Sequence, residues 1–258
     1  MSARGFLTHL LFPPTCRGCG ERFDIFMDAE PMPLCPSCLE VWQTAKLHRC
    51  AVCDGAVSTC DCMPALLKQA GCAALVKAVG YHAQHRRLPE RLILSGKHLR
   101  DRELFAFFAA DLQLPLWQAI SRIGDADNAL VTYIPRRAAA VAEEGVDQGY
   151  ELARAIGRAL ELSVIKTLRN CGHTAQKSLD HADRAENAAH AISLGRGAVA
   201  QTVRGKTMVL VDDITTVGAT LAAATKLLLA AGATCVICCT VGMTEEHGAD
   251  QENPTPGL

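Results

Sequence analysis

The chain has 258 residues, of which 49% are hydrophobic and 21% are charged, and its formal net charge is -1. A chain of this length and composition can bury a sizeable core, so it is not an intrinsically disordered protein. The small net charge excludes a basic field over the whole chain, of the kind that drives nonspecific nucleic-acid binding, and leaves only a local basic face possible.

The first residues, MSARGFLTHLLFPPTC, contain a short apolar patch that His9 interrupts and Pro13 ends. The patch is too short for a membrane-spanning helix, and it lacks the small-residue cleavage site of an export signal. We therefore expect a cytoplasmic protein without a membrane span.

Eight of the 13 cysteines precede Met63. Because the cytosol keeps thiols reduced, metal binding explains them better than disulfides. CRGC followed by CPSC has the spacing of a closed four-thiolate zinc site, which holds short segments together and does no chemistry. CAVC followed by CDC predicts a second site, although its CDC pair is tighter than a usual knuckle and interleaved ligand pairing remains open. The predicted ligands of structural Zn²⁺ are Cys16, Cys19, Cys35, Cys38, Cys50, Cys53, Cys60 and Cys62.

After the cysteines, predicted strands alternate with predicted helices. The helices are HRRLPERLILSGKHLRDRELFAFFAADLQ, broken near Ser95, then DQGYELARAIGRALEL with Asp147 as N-cap, TAQKSLDHADRAENAAHAI, and GATLAAATKLLLAAG. The strands are CAALVKAVGYHA, NALVTYIP, SVIKTLR, KTMVLVDD and TCVICCTVG. This alternation predicts an α/β fold, a parallel sheet flanked by helices.

The chain divides by composition into a cysteine-rich element at 1–66, an α/β domain at 67–243 and a loose polar tail at 244–258. The cysteines outside the first element are predicted to act singly, three of them in the last strand. They are Cys72, Cys171, Cys235, Cys238 and Cys239.

The stretch KTMVLVDDITTVGATL ends a buried strand on two carboxylates, Asp212 and Asp213. In parallel sheets ligands bind beyond the carboxyl ends of the strands. The loop at 214–219 would lead into a helix N-terminus, whose unfilled N–H groups and dipole favour a phosphate, and Gly218 would let the backbone approach closely. The two carboxylates can hold ribose hydroxyls or hydrated Mg²⁺. An ordinary capped turn is the alternative, but a cap does not need two aspartates.

VLVDDITTVGATL resembles the phosphoribosyl pyrophosphate (PRPP) motif of type I phosphoribosyltransferases. The chain from Cys16 to about Val241 resembles the ComF family, in which a cysteine-rich zinc element precedes such a domain. YIPRRAAAVAEEGVDQGYELA is similar to the family's pyrophosphate loop, and LRNCGHTAQKSLDHADRAENAAHAI to its Arg…Thr-x-x-Gln…Leu…Arg…Asn segment. Lys97 resembles the family's lysine after the first helix.

The resemblance implies roles for individual residues. Asp212 and Asp213 would bind the ribose hydroxyls of PRPP, directly or through Mg²⁺, and Thr216 would lie nearest the incoming nucleophile. The loop that wraps the 5′-phosphate would consist of Thr216, Val217, Gly218, Ala219 and Thr220. The backbone around Pro135, with a cation from Arg136 or Arg137, would face the pyrophosphate.

Two departures from the family pattern leave catalysis open. Val217 replaces a threonine of the phosphate loop, which removes a hydroxyl donor. Glu144 stands where the family has arginine, so that Glu143, Glu144 and Asp147 bring negative charge towards a polyanion. The alternatives are that Asp147 is only an N-cap and that the two arginines form only a solvated turn.

Non-enzymatic functions remain open as well. Relatives in the ComF family handle single-stranded DNA in natural transformation, which implies competence proteins such as a DNA helicase as partners. A basic stretch could bind such DNA, or it could be a solvated helix face. It consists of Arg86, Arg87, Arg91, Lys97, Arg100 and Arg102. A third possibility is a sensor that binds PRPP or a nucleotide without turnover.

We expect the phenylalanines of FAFF to be core residues and the histidines His173, His181 and His190 to be surface residues.

Overall fold

The structure is a computed structural model that describes residues 13–23, 32–81, 87–96, 101–172, 191–195 and 199–244. Most of the predicted helix that begins at Thr174 lies outside the described residues, as does the tail after residue 244. Three residues of the basic stretch, Arg86, Lys97 and Arg100, and the three histidines also lie outside them.

The described chain begins with helices α1 (Pro36–Lys46) and α2 (Ala65–Gln69), which lie in and just after the cysteine-rich segment. The α/β part follows. Its strands are β1 (Ala74–Tyr81), β2 (Ala129–Tyr133), β3 (Leu168–Asn170), β4 (Ile192–Leu194), β5 (Thr207–Thr215) and β6 (Cys235–Thr244). Its helices are α3 (Leu88–Ser95), α4 (Arg102–Ile123), α5 (Ala138–Glu144), α6 (Gln148–Ala159), α7 (Val199–Val203) and α8 (Ala219–Ala230).

Four strands form a sheet in the order β1-β6-β5-β2, and every neighbouring pair is parallel. Parallel strands need crossover connections, and here these run through the helices. The predicted parallel sheet flanked by helices is therefore confirmed. Among the described helices, none is both long and apolar enough to cross a membrane.

Side chains of the sheet alternate between two cores, as the pleat requires. On β5, Val209 and Val211 belong to a core shared with α4 and α6, whereas Met208 and Leu210 face a second core shared with α8. The phenylalanines of α4 are buried in the first core, as predicted from the sequence. Because β2, β5 and β6 run parallel, their carboxyl ends lie at the same edge of the sheet.

The cysteine-rich segment packs against this first core. Trp42 of α1 is fully buried and contacts Phe107 and Phe108 of α4, with ring centroids 5.4 and 5.5 Å apart. Its indole Nε1 donates to Asp111, and Lys46 Nζ donates to the other oxygen of Asp111 at 2.7 Å. Apolar burial and polar contacts therefore join α1 to the α/β part.

The prediction of a strand over SVIKTLR is largely wrong. Val164 forms a single parallel bridge with Val131 of β2, and only the end of the segment enters a strand, β3. That strand pairs antiparallel with β4 in a separate two-stranded sheet. The apolar pattern reflects burial against the sheet edge, because Ser163 and Ile165 share only two backbone hydrogen bonds with Val131.

The five remaining cysteines are free thiols, which agrees with the prediction that they act singly. Interaction with the side chain of Cys238 lowers the pKa of Cys72, whereas interaction with Cys72 and burial raise the pKa of Cys238 well above its ordinary value. Burial raises the pKa of neighbouring Cys239, so this thiol stays protonated as a small apolar group.

Candidate functional site

A cavity of about 330 Å³ opens at the carboxyl edge of the sheet, where ligands bind in parallel α/β folds. Residues from three regions line it: the chain from the exit of β2 to the start of α6, the last part of β5 with the first turn of α8, and the end of β3. The lining residues are Ile134, Pro135, Arg136, Arg137, Ala140, Gln148, Gly149, Asn170, Asp212, Asp213 and Thr220. Five of the predicted site residues therefore meet in one cavity, namely both arginines, both aspartates and Thr220.

The two aspartates lie within β5 rather than after it. The strand continues to Thr215, because Ile214 pairs with Gly242 and Thr215 with Met243 of β6. The expected loop at 214–219 therefore shrinks to 216–218. Backbone hydrogen bonds orient both carboxylates, since the Asp213 N–H donates to Asp212 Oδ1 at 2.9 Å and the Ile214 N–H to Asp213 Oδ1 at 2.8 Å.

The short loop at 216–218 leads into α8, which begins at Ala219. Gly218 has a left-handed backbone with φ of 79°, which glycine adopts without steric cost. A Cβ there would also lie 3.0 Å from Leu67 and 3.2 Å from Pro64, so the segment after the second cysteine group presses against this loop. Thr216 and Val217 are exposed and do not line the cavity.

The exit of β2 supplies the opposite wall of the cavity. Arg136 pairs with Glu144 through two hydrogen bonds, Nη1 to Oε2 and Nη2 to Oε1, the latter at 3.1 Å. Arg137 is exposed and forms no ion pair with the described residues. Asn170 Nδ2 donates to the carbonyl oxygen of Pro135 at 3.1 Å, which fixes this connection to β3.

Five lining residues had no predicted role: Ile134, Ala140, Gln148, Gly149 and Asn170. Gln148 is almost fully buried and donates from Nε2 to the carbonyl of Ile93 at 2.8 Å, while its buried Oε1 meets no donor among the described residues. A Cβ on Gly149 would lie 2.6 Å from the carbonyl oxygen of Ile134, so only glycine fits beside β2. The sequence places Gln148 and Gly149 just after the predicted N-cap but carries no sign of this contact.

Asp147 is the N-cap of α6, as predicted, and its Oδ1 accepts from the Tyr150 N–H at 3.4 Å. Burial raises the pKa of Asp147, although hydrogen bonds from Tyr150 and Arg136 oppose the rise. Burial and the charge of Asp147 together raise the pKa of Tyr133 to about 12. The carboxylate therefore acts inside the protein as a cap and does not line the cavity.

The eight predicted metal ligands form two separate clusters. In the first cluster (Cys16, Cys19, Cys35, Cys38) and in the second cluster (Cys50, Cys53, Cys60, Cys62) the four sulfur atoms lie within 4.8 Å of one another. A tetrahedral zinc–thiolate site has sulfurs about 3.8 Å apart, so both clusters fit a zinc ion. The ligands group in chain order, and the interleaved pairing left open by the sequence does not occur.

In each cluster one thiol has a lowered pKa and two have a raised pKa. Burial favours the neutral form of Cys16 and Cys50, but backbone N–H donors outweigh it and lower the pKa of each to about 7. Burial and neighbouring sulfurs raise the pKa of Cys38, and they raise that of Cys62 to about 12. Negative charge thus accumulates at each cluster only with difficulty, which a bound cation would relieve.

The second cluster is tied to the sheet by a buried lysine that the sequence did not single out. Lys77 of β1 is 1% exposed, and its Nζ donates to the carbonyl oxygens of Cys60 and Cys62, both at 2.8 Å. The ammonium charge also opposes the rise in the pKa of Cys60 that burial causes. The only sequence signal is a single lysine within an otherwise apolar strand.

The described part of the basic stretch contains Arg87, Arg91 and Arg102, all exposed. The aromatic residues near them are buried: Tyr81 at the end of β1 and the phenylalanines of α4. Burial raises the pKa of Tyr81, and the charges of Glu90 and Asp213 raise it further. Within the described residues, this face offers cations without an exposed stacking ring.

One protein-family model matches part of the chain. Residues 139–254 match the family model of the phosphoribosyl transferase domain, which is less than half of the chain. No curated protein sequence matches the chain.

Two solved structures resemble it at low similarity. One is a hypoxanthine phosphoribosyltransferase from Staphylococcus aureus, with 16% identity and a TM-score of 0.32, over 62% of this chain and 76% of that one. The other is an adenine phosphoribosyltransferase from Leishmania donovani, with 14% identity and a TM-score of 0.30, over 57% of this chain and 71% of that one.

Proposed function

We propose that this chain, which carries a phosphoribosyltransferase-type domain, binds PRPP or a related phosphorylated ribose in the cavity at the carboxyl edge of its sheet. The observation that carries the proposal is the meeting of Asp212 and Asp213 with the arginines after β2 in one cavity, beside the start of α8. Carboxylates suit ribose hydroxyls, whereas arginines and a helix N-terminus suit phosphates.

In this proposal the aspartates hold the ribose hydroxyls, and the loop at 216–218 with Thr220 holds the 5′-phosphate through backbone N–H groups. Arg137 faces the pyrophosphate, and Thr216 lies nearest the incoming nucleophile. Mg²⁺, held by the carboxylates, would neutralise the leaving pyrophosphate. Transfer passes through cation-like character at the anomeric carbon, so these residues orient the ligand and exclude water.

We also propose that each cysteine cluster holds one structural Zn²⁺, because four thiolates at tetrahedral spacing are the ligand set of such sites. A cytoplasmic location is part of this proposal, because the cytosol keeps such thiols reduced and able to bind a metal. Zinc then supplies folding free energy to the cysteine-rich segment and takes no part in chemistry.

Titration with PRPP by calorimetry, with and without Mg²⁺, tests the proposal. The double variant Asp212→Asn/Asp213→Asn should lose Mg²⁺-dependent binding and keep its fold, which circular dichroism checks. Unchanged affinity in this variant would refute the assignment. Pyrophosphate release against a panel of nucleobases would then establish transfer and name the acceptor. Binding without release would favour a sensor of PRPP or of a nucleotide.

The ComF-like role in DNA uptake, with single-stranded DNA and a helicase as partners, is a further proposal. It is supported by the motif order in the sequence and by the exposed Arg87, Arg91 and Arg102. Binding of an oligonucleotide should then weaken steeply with ionic strength, since phosphate contacts release counterions. Salt-independent or absent binding would reject it.

A further inference from the structure

The ion pair between Arg136 and Glu144 connects the two ends of one short segment. Arg136 precedes α5, Glu144 is its last residue, and Gly145 turns the chain with φ of 74°. Both side chains are 24% exposed, so the pair is neither fully solvated nor fully buried. Paired, bidentate contacts between a guanidinium and a carboxylate are stronger than single ones, and partial burial reduces screening by salt.

The pair changes what the cavity offers to an anion. Arg136 lines the cavity, but the charge of Glu144 offsets that of its guanidinium. Arg137 is the other arginine of this wall, and it forms no ion pair within the described part of the chain. A phosphate group that approaches Arg136 must displace Glu144 or bind beside a carboxylate, and both routes weaken its binding.

We propose that Glu144 is a specificity-determining residue, which competes with the ligand for Arg136 and so lowers the affinity of this wall for a diphosphate group. The inference rests on the proposed function, since it takes the exit of β2 as the diphosphate side of the site. The competition acts on this wall only. The affinity for ligands with a single phosphate, such as ribose 5-phosphate, therefore rises relative to the affinity for PRPP.

The two proposed phosphate-binding regions lie on different connections, so binding at one can be changed without changing binding at the other. Arg136 and Glu144 both belong to the link between β2 and α6, whereas the loop at 216–218 joins β5 to α8. Removing the charge of Glu144 should therefore strengthen binding of pyrophosphate and leave that of ribose 5-phosphate nearly unchanged.

The test is calorimetric titration of the zinc-loaded protein with inorganic pyrophosphate and, separately, with ribose 5-phosphate at constant Mg²⁺ and ionic strength. Glu144→Gln should bind pyrophosphate roughly threefold to tenfold more tightly, the usual scale for a partly exposed ion pair. Its affinity for ribose 5-phosphate should change less than about twofold. Glu143→Gln is the matched control, because it makes the same charge change at the adjacent, exposed position.

A second pair of variants asks whether Arg136 transmits the effect. In the background of Arg136→Gln, the further change Glu144→Gln should bring no gain, because no guanidinium remains to be released. Two results would overturn the inference, because they would indicate general charge repulsion: an increase in pyrophosphate affinity on Glu144→Gln that persists in the Arg136→Gln background, or an equal increase in Glu143→Gln. If Glu144→Gln does not fold, Glu144→Asp keeps the charge, breaks the two-bond geometry and should give a smaller gain; equal affinity would overturn the inference.

The binding results distinguish a failure of the role of Glu144 from a failure of the proposed function. Failure of both PRPP and ribose 5-phosphate to bind the wild-type protein would overturn the proposed function and this inference together. Normal binding of ribose 5-phosphate, with the same pyrophosphate affinity in wild type and Glu144→Gln, would overturn only the role of Glu144.

Discussion

Each cysteine cluster consists of four thiols that lie within 4.8 Å of one another, yet the protein anchors the two clusters differently. The first cluster leads into α1, whose Trp42 is buried against α4 on one face of the sheet. The second cluster is held by Lys77 of β1 through two backbone carbonyls, and the chain that leaves it presses Pro64 and Leu67 against Gly218. Similar thiol clusters can therefore differ in what they support, and here the chain that follows the second cluster contacts the loop at 216–218.

The largest effects should come from removing one ligand from each cluster. Cys19→Ser and Cys53→Ser change exposed thiols at equivalent positions, and each should cost one zinc ion, whose binding contributes on the order of 10 kcal/mol to the folded segment. Zinc stoichiometry and thermal unfolding measure the loss. Only Cys53→Ser should also weaken binding of ribose 5-phosphate. If Cys19→Ser weakened binding of ribose 5-phosphate equally, the proposed difference between the two clusters would be wrong.

The anchor of the first cluster can be tested with the only two tryptophans in the chain. Trp42→Ala removes a fully buried ring and should lower the free energy of unfolding by about 3 to 5 kcal/mol, as large cavities do. Trp117→Ala on α4 is the control, since its side chain is 59% exposed and should change stability little. Denaturant unfolding measures both. Similar losses in the two variants would contradict the assigned anchor.

The contact between the second cluster and the loop at 216–218 depends on Leu67. Leu67→Ala should cost about 2 to 5 kcal/mol of stability and also weaken binding of ribose 5-phosphate, because Gly218 loses the side chain that supports it. Leu66→Ala, at the neighbouring and partly exposed position, should do neither. Unfolding and calorimetry on both variants check this. Destabilisation of Leu67→Ala with unchanged affinity would limit Leu67 to a core residue.

Among the changes at the cysteine ligands, Trp42, Leu67 and Lys77, substitution of Lys77 should have the smallest effect on stability. Lys77→Met fills the same space but leaves two part-buried carbonyls without their donor, at a cost of about 1 to 3 kcal/mol. A chelator should then remove zinc faster from the second cluster than from the first, which two-phase release kinetics would resolve. Lys68→Met changes an exposed lysine and serves as the control. Equal release from both clusters in Lys77→Met would show that the ammonium does not hold the second one.

Local patterns predicted most of the fold. The helices that begin at Gln148 and Ala219, the break after Ser95 and the strand that ends before Pro135 all follow from capping residues, glycine, proline and apolar periodicity. SVIKTLR misled because a short apolar run does not say whether it pairs with a strand or only packs beside one. The length of β5 was underestimated because pairing with β6 carries the strand past its two aspartates.

The two sets of four cysteines, the α/β alternation and the two aspartates of the cavity can all be read from the sequence, because spacing and periodicity are local properties of the chain. Which distant groups meet depends on the packing of the folded chain. It brought Arg136 onto Glu144, Lys77 beneath Cys60 and Cys62, and Leu67 against Gly218. Such contacts depend on how helices and strands pack around a shared core, and no short stretch of sequence carries that information.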